Sequence, residues 1–364
     1  MAEKKIRVAV IYGGRSTEHS ISCISAGAVM AHLDPQRYDI VPVGITTDGV
    51  WTTGAPDLSE LAAHGDDLPT VQLREEIALS VNPLRRGEIV SAATGEVRHT
   101  VDVVLPILHG PYGEDGTIQG LFELAGVPYV GPGVLASAAG MDKEFTKKLM
   151  VADGLPVTPE VVLRGDDTLS PAQRDMLGLP VFVKPARGGS SIGISKVDED
   201  EGIDAAIAEA RKFDDKVIVE AMIHGVEVEV GVLQRPDGSL VASPPAQLNG
   251  IEDSEEGFYG FETKYLDDVV SATIPARLDD ATIMALKEMA VAAFRAVDAK
   301  GLARVDFFVT DRGPVLNEIN TMPGFTPISM FPQVLAADGI GYQELLDTLI
   351  ATALTELTEL TERR

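Results

Sequence analysis

The run Arg7-Val-Ala-Val-Ile-Tyr12 is closed by Gly13-Gly14 and followed by a helix-like segment through Met30 and a second apolar run, Ile40-Val-Pro-Val-Gly-Ile45. This order constrains the chain more than any other feature, because strand, turn, helix and strand in close succession form the βαβ unit of a parallel sheet. Val101-Asp-Val-Val-Leu-Pro-Ile-Leu108 is another buried strand, and it delivers His109-Gly-Pro-Tyr-Gly-Glu-Asp-Gly116 at its carboxyl end, where such sheets place ligand groups. Between these strands, residues 48–100 carry the turn signals Asp48-Gly49, Asn82-Pro83 and Thr94-Gly95 among short alternating runs, which predicts a hairpin insertion without chemistry of its own.

The fold class is α/β. A chain of 364 residues exceeds a usual single domain. The break at Gly131-Pro132-Gly133 suggests a first α/β domain over 1–131, a central domain over 132–220 and a C-terminal domain over 221–364. The central part opens with a helix carrying Met141-Asp142-Lys143. It continues through Val181-Phe-Val-Lys184-Pro, the loop Arg187-Gly-Gly-Ser-Ser-Ile-Gly193, a helix near 203–211 and the strand Lys216-Val-Ile-Val-Glu220. In Val226-Glu-Val-Glu-Val-Gly-Val-Leu233 the glutamates alternate with valines, giving one apolar and one polar face. Residues 246–265 are Gly-rich, acidic and aromatic, the composition of a lid loop. A helix over 279–299, strands over 303–310 and 315–319, and an amphipathic tail with Leu354, Leu357 and Leu360 complete the chain.

Composition narrows the function. Lys and Arg number 30 against 56 Asp and Glu, a formal net charge of -26, which repels nucleic acid and anionic lipid. No apolar stretch approaches the ~20 residues of a membrane span, and the first strand is too short for a signal segment. The lone cysteine, Cys23, forms no internal disulfide and suits a buried small hydrophobe. These features point to a soluble cytoplasmic protein without nucleic-acid or membrane partners.

No Gly-x-x-x-x-Gly-Lys-Ser/Thr loop and no Gly-x-Gly-x-x-Gly turn follows a strand, so a nucleotide needs another device. Three features supply one: Lys143 near a helix start, Lys184 ending a strand before Pro185, and the small-residue loop 188–193. Lysine point charges suit phosphates, and glycines let backbone N–H groups approach them. The strongest local signal is Arg304-Val-Asp306-Phe-Phe followed by Glu318-Ile-Asn320. On neighbouring strands Asp306 and Glu318 meet, with Asn320 on the face of Glu318. Three oxygen donors of this kind suit a Mg-nucleotide site. Arg304 shares the face of Asp306 and can stabilise charge on a transferred phosphoryl group or an acyl oxyanion.

Together with Gly13-Gly-Arg-Ser-Thr-Glu18-His-Ser-Ile-Ser, Phe261-Glu-Thr-Lys264-Tyr265 and Thr321-Met-Pro-Gly324-Phe-Thr-Pro-Ile-Ser329, these segments resemble the ATP-grasp superfamily. Within it they resemble the D-alanine-D-alanine ligases, over nearly the whole chain. The resemblance implies an ATP-grasp fold of three α/β domains, with a parallel sheet in the first and ATP held between the other two. It implies that Lys143 and Lys184 contact the ATP phosphates, that Glu220 and Glu227 meet the adenine region and the ribose, and that Ser190 and Ser191 line the phosphate-side loop. By the same likeness Lys264 reaches the γ-phosphate when the lid closes, and Asp306, Glu318 and Asn320 hold two Mg or Mn ions. Glu18 takes the ammonium of the first D-alanine with His109 beside it, and Arg304 and the backbone at Gly324 form the oxyanion site. Ser329 takes the carboxylate of the second D-alanine, and Tyr265 closes over the site through Glu18 and Ser190. Relatives that make D-alanyl-D-lactate depart at the tyrosine, so Tyr265 favours an amine as second nucleophile. The implied activity is peptidoglycan-precursor synthesis through an acyl phosphate, in a homodimer.

Overall fold

The computed structural model describes residues 4–63, 67–189, 192–250 and 271–362. Strand β1 (Ile6–Gly13) is followed by helix α1 (His19–His32), β2 (Tyr38–Ile45) and the short β3 (Trp51–Thr53). A separate antiparallel sheet, β4 (Ile77–Leu79), β5 (Glu88–Ser91) and β6 (Val97–Thr100), forms the hairpin insertion before β7 (Val103–Ile107) returns beside β1. The order is β3-β2-β1-β7, with β2, β1 and β7 parallel as the βαβ pattern predicts and β3 turned back along β2.

Alternation along β1 divides its side chains between two cores. Val8, Val10 and Tyr12 meet Cys23, Ala26, Val29 and Met30 of α1, while Ala9 and Ile11 join Phe122 and Ala125 of α2 (Thr117–Ala125). Burial on both faces is why the strand shows no polar alternation, and each large side chain so buried contributes roughly 1.5–3 kcal/mol over exposure. Burial pushes the Cys23 thiol up to about 12, consistent with a small core hydrophobe. At the strand's end Gly13 has φ +91°, and a Cβ there would lie 2.3 Å from the Ile45 carbonyl oxygen, so only glycine turns the chain toward Glu18.

The single helix expected across Met141-Asp142-Lys143 is two helices, α3 (Val134–Met141) and α4 (Lys143–Ala152). Asp142 leaves the helical region (φ -96°, ψ 100°) and caps α4 by accepting from the Phe145 N–H at 3.4 Å, the competition with helix typical of Asp. The break puts Lys143 at the first position of α4.

A second sheet combines β8 (Glu160–Arg164), β9 (Val181–Pro185), β10 (Ser195–Val197) and β11 (Lys216–Ala221) in the order β10-β9-β11-β8, all antiparallel. Helix α5 (Pro171–Leu177) precedes β9 and α6 (Ile203–Ala210) precedes β11. Val161, Val183, Val217 and Val219 turn to Ile203 and Ile207 of α6, so Phe182, Lys184, Lys216 and Glu220 face the other way.

The third sheet contains β12 (Val226–Gln234), β13 (Leu240–Ala242), β14 (Ala246–Asn249), β15 (Ser271–Thr273), β16 (Leu302–Thr310) and β17 (Gly313–Asn320). Its order is β15-β14-β12-β16-β17, with β13 also on β12. Val228, Val230, Val305 and Phe307 bury against Leu286, Ala290 and Phe294 of α7 (Asp280–Ala296). The expected lid begins later than 246, because Ala246 and Leu248 are buried and the segment pairs with β12. The rest of that lid, 251–265, lies outside the described residues.

The amphipathic tail forms α8 (Met330–Ala337) and α9 (Tyr342–Glu362), whose Phe331, Leu335, Leu345 and Leu349 enter the same core as Val8 and Tyr12 of the first sheet. Among the described residues no helix is long and apolar enough to cross a membrane.

Candidate active site

The second and third sheets turn their polar faces to one another across a cavity of about 570 Å³. Lys143, Lys184, Glu220, Glu227, Arg304, Asp306, Glu318 and Asn320 line it, joined from the first sheet's loops by Glu18, His109 and Glu114. Segments as distant in the chain as Glu18 and Asn320 therefore meet in one cleft.

On the second-sheet side the cations are held by acids and carbonyls. Lys143 Nζ donates to the Gly188 carbonyl at 2.9 Å and lies 3.7 Å from Glu318. Lys184 pairs with Glu220 at 2.5 Å, and Glu220 also pairs with Lys147, which in turn reaches Glu160 at 3.0 Å. Burial alone would push the Glu220 carboxyl up, but Lys147 and Lys184 outweigh it and hold the group down to about 2. Burial lowers the Lys184 ammonium, with Glu220 working against that shift. Lys147 and Glu160 had no signal in the sequence, since a lysine on a helix is ordinarily a solvated charge.

On the third sheet, Asp306 sits between Glu229 of β12 and Glu318 of β17 in register, so three acids lie in a row across the strands. Like charges opposite one another repel. Arg304 relieves part of this, donating to both Asp306 oxygens at 2.8 and 2.7 Å and lying 3.2 Å from Glu229, while Asn320 donates to Asp306 at 2.9 Å. A register shift between Asp306 and Phe307 makes Asn317 an extra residue on β17. Strict alternation would put Leu316, Glu318 and Asn320 on one face. The bulge instead lets Leu316 pair with Phe307 in the core while Glu318 and Asn320 line the cleft.

Among the described residues no three His, Cys, Asp or Glu side chains form a closed metal cage. The donors on β16 and β17 are two carboxylates and an amide, with one arginine against the acid row. This set fits a hard divalent cation that keeps waters and phosphate oxygens of its own.

Glu18 precedes α1 without capping it, and its carboxylate abuts both Gly110 and Gly189: a Cβ at either position would lie 3.0 or 3.1 Å from its Oε2. Glu114 approaches the same point from the His109 loop, accepting from the Gly110 N–H at 2.9 Å. Its carboxyl is pushed up to about 8, first by burial and then by the Glu18 charge. Glu114 lies within the Gly-Glu-Asp-Gly motif but is not among the site residues expected from the sequence. The signal available was an acid in a glycine-rich loop at a strand's carboxyl end. His109 Nδ1 lies 3.0 Å from the Met322 carbonyl, which assigns the proton to Nδ1 and leaves Nε2 as an acceptor, buried without a partner among the described residues.

Gly324 lines the cavity. Ser329, at the start of α8, does not; it stands behind Gly324, with its Oγ 2.8 Å from Thr326 Oγ1 and accepting from the Thr326 N–H at 3.1 Å. Ser190, Ser191, Lys264 and Tyr265 lie outside the described residues.

A parallel-sheet unit followed by two antiparallel sheets that clasp a charged cleft is the architecture of the ATP-grasp fold. The family models for the D-ala D-ala ligase N-terminus and C-terminus match residues 7–132 and 149–351. The D-alanine--D-alanine ligase of Corynebacterium diphtheriae is 65% identical over 350 residues, 96% of each chain. Among solved structures, the D-alanine-D-alanine ligase from Coxiella burnetii matches with TM-score 0.85 and 32% identity over 99% of this chain and 97% of that one. VanG D-Ala:D-Ser ligase from Enterococcus faecalis matches with TM-score 0.80 and 34% identity over 96% of this chain and all of that one. The chain belongs to the D-alanine-D-alanine ligase family.

Proposed function

We propose that the protein joins two D-alanines into D-alanyl-D-alanine for peptidoglycan-precursor synthesis, cleaving ATP to ADP and phosphate through a D-alanyl phosphate. The observation that carries this reading is the single cavity whose one wall presents Lys143 and Lys184 and whose other presents the Arg304-Asp306-Glu318-Asn320 set. A carboxylate is a poor electrophile. Attack of the first D-alanine's carboxylate oxygen on the γ-phosphorus, with ADP leaving, converts it to a mixed anhydride. The amine of the second D-alanine then attacks the carbonyl carbon, the C–O bond to phosphate breaks, and a proton leaves the nitrogen.

In this reading Lys143 and Lys184 bind the ATP phosphates, with Ser190, Ser191 and Lys264 adding contacts as the lid closes, and Glu220 and Glu227 take the adenine region and the ribose. Asp306, Glu318 and Asn320 would hold two Mg or Mn ions, which would supply neutralisation of the phosphate charge. Glu18, helped by Glu114, accepts the ammonium of the donor D-alanine, and His109 stands beside it. Arg304 and the Gly324 backbone stabilise the oxyanion. Ser329, which stands directly behind Gly324, takes the acceptor's carboxylate, and Tyr265 closes over both substrates. Residues 251–265 exclude water from the acyl phosphate. The protein is in this reading a cytoplasmic homodimer whose chain divides into three domains at about 131 and 220. Light scattering tests the dimer.

Phosphate release from Mg-ATP with D-alanine, L-alanine, D-serine or D-lactate, with mass detection of product, tests the activity. Turnover to D-alanyl-D-alanine that is lost in Arg304→Ala supports the reading. Absence of stimulation by any D-amino acid overturns the substrate assignment.

A further inference from the structure

Beneath the cavity runs a buried ionic seam, and of its members only Glu220 has a role above. Helix α4 and strand β11 lie against one another and exchange opposite charges: Glu144 and Lys147 on the helix meet Lys216 and Glu220 on the strand. Lys216 does not line the cavity and is 7% exposed. Its ammonium donates to Asp142 and, at 3.1 Å, to Glu144, the two residues on either side of Lys143. Arg164 closes on Glu144 from the outer side at 2.7 Å.

The backbone of Lys216 is tied to the same place. Its carbonyl accepts from the Ala186 N–H at 2.9 Å, and the Ala186 carbonyl accepts from the Lys143 N–H at 3.0 Å. Its own N–H donates to Asp214 at 3.0 Å, and Asp214 accepts from the backbone and side chain of Arg187 at 2.9 and 3.0 Å. Arg187 opens the loop whose Gly188 carbonyl holds Lys143 Nζ. Lys216 is thus the junction between the first turn of α4 and the start of the glycine loop.

We propose that Lys216 is a positioning residue: by holding Asp142 and Glu144 together it fixes the first turn of α4, so that Lys143 is set at the distance from the glycine loop that ATP phosphates need. The inference rests on the reading that Lys143 contacts those phosphates. A buried lysine is retained where its partners satisfy it, and here both partners flank a ligand-facing residue. Loss of such a support shifts ligand affinity without removing a ligand contact.

The test is ATP affinity of the full-length protein by calorimetry with Mg present, alongside KM for ATP and for D-alanine. Lys216→Met is expected to weaken ATP binding by about tenfold, the scale on which outer supports act. KM for D-alanine should stay within about twofold on the same reasoning, and Lys216→Arg should recover most of the loss. Asp142→Asn provides a second variant if Lys216→Met does not fold, because Asn caps a helix as well as Asp does but lacks the ion pair. Lys143→Met combined with either substitution should bind ATP no more weakly than Lys143→Met alone. Unchanged ATP affinity in a folded Lys216→Met or Asp142→Asn, equal effects on both substrates, or additivity with Lys143→Met overturns the proposal while the parent's turnover leaves the ligase reading standing. A parent that binds no ATP overturns both.

Discussion

The two walls of the cavity are antiparallel sheets with one face in a valine-rich core and the other in the cleft, yet their charges are arranged in opposite ways. On the β9–β11 wall, Glu220 lies between Lys147 and Lys184, and Lys147 also holds Glu160. On the β12–β17 wall, Glu229, Asp306 and Glu318 stand in a row beside Arg304, with Lys143 of the other wall 3.7 Å from Glu318. The first wall is complete in the free protein. Among the described residues the second has more acids than cations, an excess that incoming cations would relieve. Substitutions on the first wall should therefore cost stability as well as ATP binding, and those on the second mainly function.

The largest effect is expected from Glu220→Gln, which leaves Lys147 and Lys184 buried without their shared carboxylate, a loss of about 3–5 kcal/mol. Denaturant unfolding measures it. The same group gives a pH signature. Its folded-state carboxyl is held at about 2 against an ordinary 4.5, so its stabilisation is complete above about pH 4.5 and is lost as pH falls toward 2. The parent should lose stability across that window, and the variant should lack this share of the loss.

Arg304→Ala tests the other wall. It should fold, because Asp306 keeps the Asn320 hydrogen bond, but kcat should fall by about 10²–10³-fold. A large loss of stability with intact kcat would reverse the comparison. Glu318→Gln comes next, raising the Mg concentration for half-maximal activity by about 10-fold or more while the melting temperature barely moves. Glu114→Gln should have the smallest effect. With its carboxyl pushed up to about 8, Glu114 is neutral below that pH and glutamine copies it. The parent's kcat/KM for D-alanine should gain by less than about tenfold as pH rises through 8, and the variant should match the parent below pH 8 but lack the gain.

The legibility of these features differs by their range. The meeting of Asp306 with Glu318 could be read because the two strands are consecutive, joined by a tight turn, and strand periodicity carries charged residues to one face. The bulge at Asn317 could not, since Leu316, Glu318 and Asn320 share one phase in the sequence. Glu114 has no local signal that separates it from Asp115 beside it, since only the fold brings it to Glu18. Burial of Lys147 and Lys216 had no local signal, because it needs Glu220 and Asp142, which lie 73 and 74 residues away from them.

By itself the sequence determined the βαβ opening, the hairpin insertion, the alternation of Val226-Glu-Val-Glu and the residue types of the cleft. Local periodicity and turn chemistry set these within a few residues. Tertiary structure alone decided that α9 closes the core of the first sheet, that Glu114 comes to Glu18, and that three lysines are buried behind or within one cavity. A charge is tolerated inside a protein only by what surrounds it, and those surroundings exist only once distant segments have met.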